Sequence, residues 1–129
     1  MRITSIITLT ALTFLLSAGT VTAKSRKNIE SAASDSRIEY TGRTLTEGTD
    51  VSFDWSGTYV RVRFNGPYLA MKCTDTKNSW FNLWVDKEMS PKEDSRFLIA
   101  AKDTVIVLAE GLGKGPHEVL IQKRTEGEQ

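Results

Sequence analysis

From Arg37 onward the chain alternates between apolar and polar positions. Val60, Val62 and Phe64 fall on one side of a period-two pattern, with Tyr59, Arg61 and Arg63 on the other. A strand with one face against a core leaves this signature. Leu69, Met71 and Cys73 repeat it, as do Val119 and Ile121 against Glu118, Leu120 and Gln122. Gly48, Gly57, Gly66-Pro67 and Gly113 to Pro116 punctuate the runs. The pattern predicts strands over 38–44, 51–55, 58–65, 68–74, 79–86, 96–101, 104–108 and 117–123, with turns or loops between them. No stretch in this region has a helical period. About eight short strands at spacings of about 8–12 residues predict an all-β fold, an antiparallel β-sandwich of jelly-roll type.

The first 36 residues follow other rules. Met1-Arg2 is a short positive start, Ile3 to Leu16 is apolar with Thr and Ser interspersed, and Ser17 to Ala23 turns small and polar. That order predicts a signal peptide over 1–23 with cleavage after Ala23, and hence a secreted or periplasmic protein. A membrane span needs about 20 apolar residues, and this run is shorter and broken by threonines. Residues 24–36 hold few large apolar side chains and read as a flexible leader, with a short helix conceivable around 28–33. The sandwich then occupies 37–129.

Charge narrows the partners. The chain has 17 Lys and Arg against 16 Asp and Glu, and loss of Arg2 with the signal peptide balances them. Neutrality argues against nucleic acid, which is bound through a basic excess, and against charge-driven membrane binding. The single cysteine, Cys73, has no disulfide partner within the chain and alternates with Leu69 and Met71, as a buried small residue does.

Catalytic machinery is not evident, and no catalytic residue is assigned. There is no Gly-x-Ser-x-Gly elbow. The single histidine, His117, lies at a turn-to-strand junction, where a ring hydrogen-bonded to a neighbouring loop is expected. One His and one Cys do not supply a zinc site. Asp75, Asp86, Asp94 and Asp103 read as loop acids and turn caps rather than as a calcium or glycosidase set. Neither a metal nor a cofactor is expected.

The candidate binding residues are aromatic. Trp80 and Trp84 share one face of a strand with Asn82 between them, Tyr59 and Arg61 lie on the polar face of another, and Tyr68 begins a third. Exposed and adjacent, Tyr59, Arg61, Tyr68, Trp80 and Trp84 would form a carbohydrate-stacking platform. Covered, they would be core or docking residues. The apolar opposite face of the same strand, Phe81, Leu83 and Val85, favours the covered arrangement.

Several segments together resemble a known family: Phe53-x-Trp55-x-Gly57, Val60-Arg-Val-Arg-Phe64-x-Gly66, Asn78-Ser-Trp-Phe-Asn82-Leu-Trp-Val85-Asp86, Leu108-Ala-Glu110-Gly-Leu112, Gly115-x-His117-x-Val119 and the closing Lys123-Arg-Thr-Glu126. They resemble the N-terminal jelly-roll domain of carbohydrate esterase family 2, over about Glu39 to Glu126. The resemblance implies a secreted accessory domain that accompanies an SGNH-type catalytic domain acting on acetylated plant polysaccharide. It also implies further sandwich beyond the Lys-Arg-Thr-Glu stretch, so this chain is expected to be truncated at its C-terminus. No position matches the family's catalytic motif. A free-standing carbohydrate-binding module and a protein-docking domain are the alternatives.

Overall fold

The computed structural model describes residues 1–13, 24–75, 77–90, 92–93 and 95–125. The described residues form eleven strands and no helix: β1 Arg2–Thr13, β2 Lys24–Ala32, β3 Ile38–Thr41, β4 Leu45–Glu47, β5 Asp50–Ser52, β6 Tyr59–Asn65, β7 Tyr68–Thr74, β8 Ser79–Val85, β9 Ser95–Ile99, β10 Thr104–Ala109 and β11 Pro116–Lys123. They make two antiparallel sheets. Sheet A runs β10-β7-β1-β5-β4, with β2 also paired to β1, and sheet B runs β3-β6-β11-β8-β9.

The inner faces are those that the alternation marks. Val60, Val62 and Phe64 of β6, Phe81 and Leu83 of β8, and Val119 and Ile121 of β11 meet Leu69, Met71 and Cys73 of β7 in one core. Phe53 packs edge-on against Phe81, and Phe97 stacks on Phe81 at 5.3 Å. Burial raises the Cys73 thiol to about 11, so it stays a neutral apolar residue.

Three expectations change in the structure. The 38–44 run divides, with β3 in sheet B and β4 in sheet A. Gly42 makes the division with φ +119, and a Cβ there would lie 2.8 Å from Thr58 Oγ1. Only a glycine lets the chain cross between layers at this point. The 51–55 run shortens to β5, although Phe53 still fills the core. Residues 24–32, expected as a flexible leader with a short helix conceivable, form β2. Cross-strand pairing from Ser5↔Ala32 to Thr13↔Lys24 overrides a composition that on its own favours neither element.

Residues 2–13 of the expected signal peptide form β1, inside sheet A. Ile3 and Ile6 lie in the core. An apolar stretch can do this because its backbone pairs on both edges, and here it pairs with β7 on one side and with β5 and β2 on the other. The expected cleavage point, Ala23, lies outside the described residues.

Candidate functional site: the outer face of sheet B

The outward residues of sheet B line up across its strands. Glu39, Arg61, Leu120 and Trp84 form one row, and Thr41, Tyr59, Gln122, Asn82 and Arg96 the next. Beyond them Trp80 faces Leu98. The five candidate binding residues do not share one surface. Tyr68 belongs to β7, in the other sheet, and with Leu69 turned into the core it faces outward on that side of the sandwich.

Arg61 is committed elsewhere. It lies 3.3 Å from Glu118 and 3.7 Å from Glu39, while Arg63 pairs with the same two carboxylates at 3.0 Å each. Each exposed pair contributes little, about 0–1 kcal/mol, and the two carboxylates are shared between both guanidiniums. These acids keep the Arg63 guanidinium protonated more firmly than usual, Glu118 foremost. Tyr59 is half-buried beside Gln122.

The two tryptophans of β8 differ. Trp84 is 2% exposed, and its indole N–H donates to the Lys92 carbonyl at 3.2 Å in the connection to β9. It is a covered ring and takes no part in a surface platform. Trp80 is 45% exposed. With Arg96, Arg124 and Thr125 it lines an open cleft of about 360 Å³. Arg96 is paired with Glu93.

The Lys-Arg-Thr stretch adjoins this cleft, with Arg124 and Thr125 in its lining. Lys123 turns inward and is fully buried, its ammonium donating to the Thr125 carbonyl at 2.5 Å and lying 3.4 Å from Thr125 Oγ1. Arg124 N–H donates to the Trp80 carbonyl at 2.8 Å, and Trp80 N–H donates to Thr125 Oγ1 at 3.3 Å. Three consecutive residues thus fasten the exit of β11 to the start of β8 and hold Trp80 in place. Glu126 lies outside the described residues. Sequence reasoning missed Arg96 and Arg124 as neighbours of Trp80. Their signal was the register of β8 with β9 and β11, which no local pattern displays.

At the opposite end of β8, Asp86 and His117 join two loops. His117 Nδ1 lies 2.7 Å from Asp86 Oδ2 and Nε2 lies 2.6 Å from the Gly113 carbonyl, while Glu118 N–H donates to Asp86 Oδ1 at 2.8 Å. This matches the structural role expected of His117. A carboxylate and a carbonyl only accept, so both bonds are satisfied when the ring is an imidazolium. The Gly113 carbonyl and then the Asp86 carboxylate raise the His117 pKa. The Glu118 N–H and the His117 ring lower that of Asp86. A cleft of about 530 Å³ lies alongside, lined by Arg63, Asn65, Lys87 and Glu88 among others.

Of the other loop acids, Asp75 accepts from Lys77 N–H and Asp103 from the Thr74 hydroxyl, as turn caps do. Asp94 lies outside the described residues. Among the described residues no three His, Cys, Asp or Glu side chains gather as metal ligands.

A β-sandwich with an aromatic–arginine cleft beside its Lys-Arg-Thr strand exit defines a class of protein that comparison makes specific. The chain belongs to the family described as carbohydrate esterase 2 N-terminal, whose model matches residues 40–129. The cellulase/esterase CelE of Acetivibrio thermocellus is 29% identical over 90 residues, which is 69% of this chain and 11% of that protein. A family two carbohydrate esterase from Clostridium thermocellum, solved in complex with cellohexaose, superposes with a TM-score of 0.61 at 27% identity, covering 70% of this chain and 27% of that one. Another from Cellvibrio japonicus shares the fold, with a TM-score of 0.66 at 21% identity over 92% of this chain and 30% of that one. The chain therefore spans about a tenth of the curated relative and under a third of the solved ones.

Proposed function

We propose that this chain is the accessory N-terminal domain of a secreted carbohydrate esterase, and that it holds polysaccharide in the Trp80 cleft while acetyl groups are removed by a catalytic domain of SGNH type. The observation that carries this reading is the cleft itself. An indole face left open to water offers an apolar plane to the C–H face of a sugar ring, and Arg96, Arg124 and the Thr125 hydroxyl offer donors to its oxygens. Among Tyr59, Arg61, Tyr68, Trp80 and Trp84, the reading keeps Trp80 as the stacking residue. Export through cleavage after Ala23 completes it.

The relative solved with cellohexaose makes cello-oligosaccharides, alongside xylan, the first ligands to try. Tryptophan fluorescence of the chain should respond to one of them, and Trp80→Ala should weaken binding by about 1–3 kcal/mol, the range of other ring-stacking sites. No response to either polysaccharide would sink the binding half of the proposal. A protein-docking face is the second reading, favoured by the exposed Leu98 opposite Trp80. Under it, Trp80→Ala weakens association with a catalytic domain and leaves polysaccharide binding absent.

The chain is expected not to hydrolyse an acetylated chromogenic ester. Both nitrogens of its single histidine are engaged, so neither is available as a general base. Turnover that disappears in His117→Ala with the fold intact would overturn this.

A further inference from the structure

Strand β1 is the hub of sheet A. It pairs with β7 from Arg2↔Thr74 to Leu9↔Tyr68, with β5 at Arg2↔Ser52 and Ile3↔Val51, and with β2 from Ser5↔Ala32 to Thr13↔Lys24. The pairing continues to the chain start, where Phe53 N–H donates to the Met1 carbonyl and the Met1 amine donates to the Phe53 carbonyl, both at 2.9 Å. A register shift between Ile3 and Ser5 turns Ile3 and Ile6 to the same face although they are three residues apart. Both are fully buried, at 0% and 2% exposed.

Without β1, sheet A reduces to the pairs β10–β7 and β5–β4, with β2 left unpaired. The gap would have two hydrogen-bonding edges, β7 and β5, whose inward residues Val51, Leu69 and Met71 belong to the same apolar core as Ile3 and Ile6. Unpaired inner edges beside an apolar core are a template for an added strand. The residues that fill the gap are those whose pattern marks a cleavable leader.

We propose that the gap between β7 and β5 is a strand-acceptor site, occupied by β1 in the unprocessed chain and, after processing, by an extended strand of a partner polypeptide. The resident strand specifies the chemistry of its successor. It runs antiparallel to both β7 and β5, carries large aliphatic side chains at the places of Ile3 and Ile6, and is free of charge between them. This inference rests on the leader reading of the proposed function, and its test uses neither polysaccharide nor ester.

The full chain is given a protease site within residues 14–23, folded, cut, then unfolded and refolded with an excess of a fluorescent peptide of sequence Met1–Thr13. Refolding in this way keeps slow release of the resident strand from hiding exchange. The expected result is one labelled peptide per chain, with slow amide exchange restored at Leu69 to Cys73. A peptide bearing Ile3→Asp and Ile6→Asp is expected not to bind. Three results would overturn the proposal. The refolded chain, freed of residues 1–13, keeps those amides protected and its Tm unchanged. The labelled peptide never enters. Or strand-swapped dimers of the uncut chain form in preference, which makes a second copy the occupant. Sequencing the N-terminus of exported protein reads the leader separately: a start at Met1 defeats the leader reading and leaves the peptide result standing.

Discussion

Trp80 and Trp84 stand on the same face of β8, four residues apart, and their surroundings are opposite. At the Trp84 end the connection to β9 folds back over the ring, Lys92 accepts its N–H, and Leu120 packs beside it on β11. At the Trp80 end the backbone is fastened on one side by Arg124 and Thr125, yet the ring stays open between two arginines. Strand geometry treats the two positions alike. What differs is whether a loop returns over them, so a single strand is covered at one end and open to solvent at the other.

Substitutions test this contrast directly. The largest effect is expected at the covered end, where Trp84→Ala should cost about 3–5 kcal/mol by leaving a cavity under the β9 connection, read as a lowered midpoint in urea unfolding. Thr125→Val should cost about 1 kcal/mol, because it removes the hydroxyl that accepts the Trp80 N–H while keeping the side-chain shape. It should also shift Trp80 emission as the ring loosens. A loss as large as that of Trp84→Ala would mean that the clasp carries the fold rather than the cleft. At the open end, Trp80→Ala should change unfolding stability by no more than about 0.5 kcal/mol. A core-sized loss there would erase the contrast.

The smallest effect is one of pH and belongs to the Asp86–His117 clasp. The His117 pKa is raised from 6.5, so its contribution is complete below that value and fades as pH rises through the folded one. The Asp86 pKa is lowered from 3.8, so its contribution is present above that value and fades as pH falls through the folded one. Stability from the clasp should therefore be greatest between the two and decline on the alkaline side. Melting curves from about pH 5.5 to about pH 8, bracketing the ordinary histidine value, should show a decline that is missing in His117→Ala. Equal slopes in the two proteins would mean that the ring is not held as an imidazolium.

Much of sheet B, and β7 of sheet A, was legible in the sequence. The runs at 58–65, 68–74, 79–86 and 117–123 became β6, β7, β8 and β11 with their inward residues as expected, because period two is a local property of the backbone. The candidate site was legible only in part. Trp80 was visible as a residue, but Arg96 and Arg124 reach it through cross-strand register, and Tyr68 leaves it through sheet assignment. Neither follows from spacing along the chain. The buried Lys123 shows the same limit: its polar identity suggests a surface, while its parity with Val119 and Ile121 carries it inward to Thr125.

What the sequence by itself determined is the class of fold and the faces of its longer strands, since alternation and turn residues act over a few positions at a time. Tertiary structure decided which tryptophan is covered, which arginines are paired, and that residues 2–13 lie in the middle of a sheet. Those outcomes depend on hydrogen bonds and contacts between residues far apart in the chain. An apolar segment with threonines is equally suited to a leader and to a strand paired on both edges, and only the presence of β7 and β5 beside it gives the second environment.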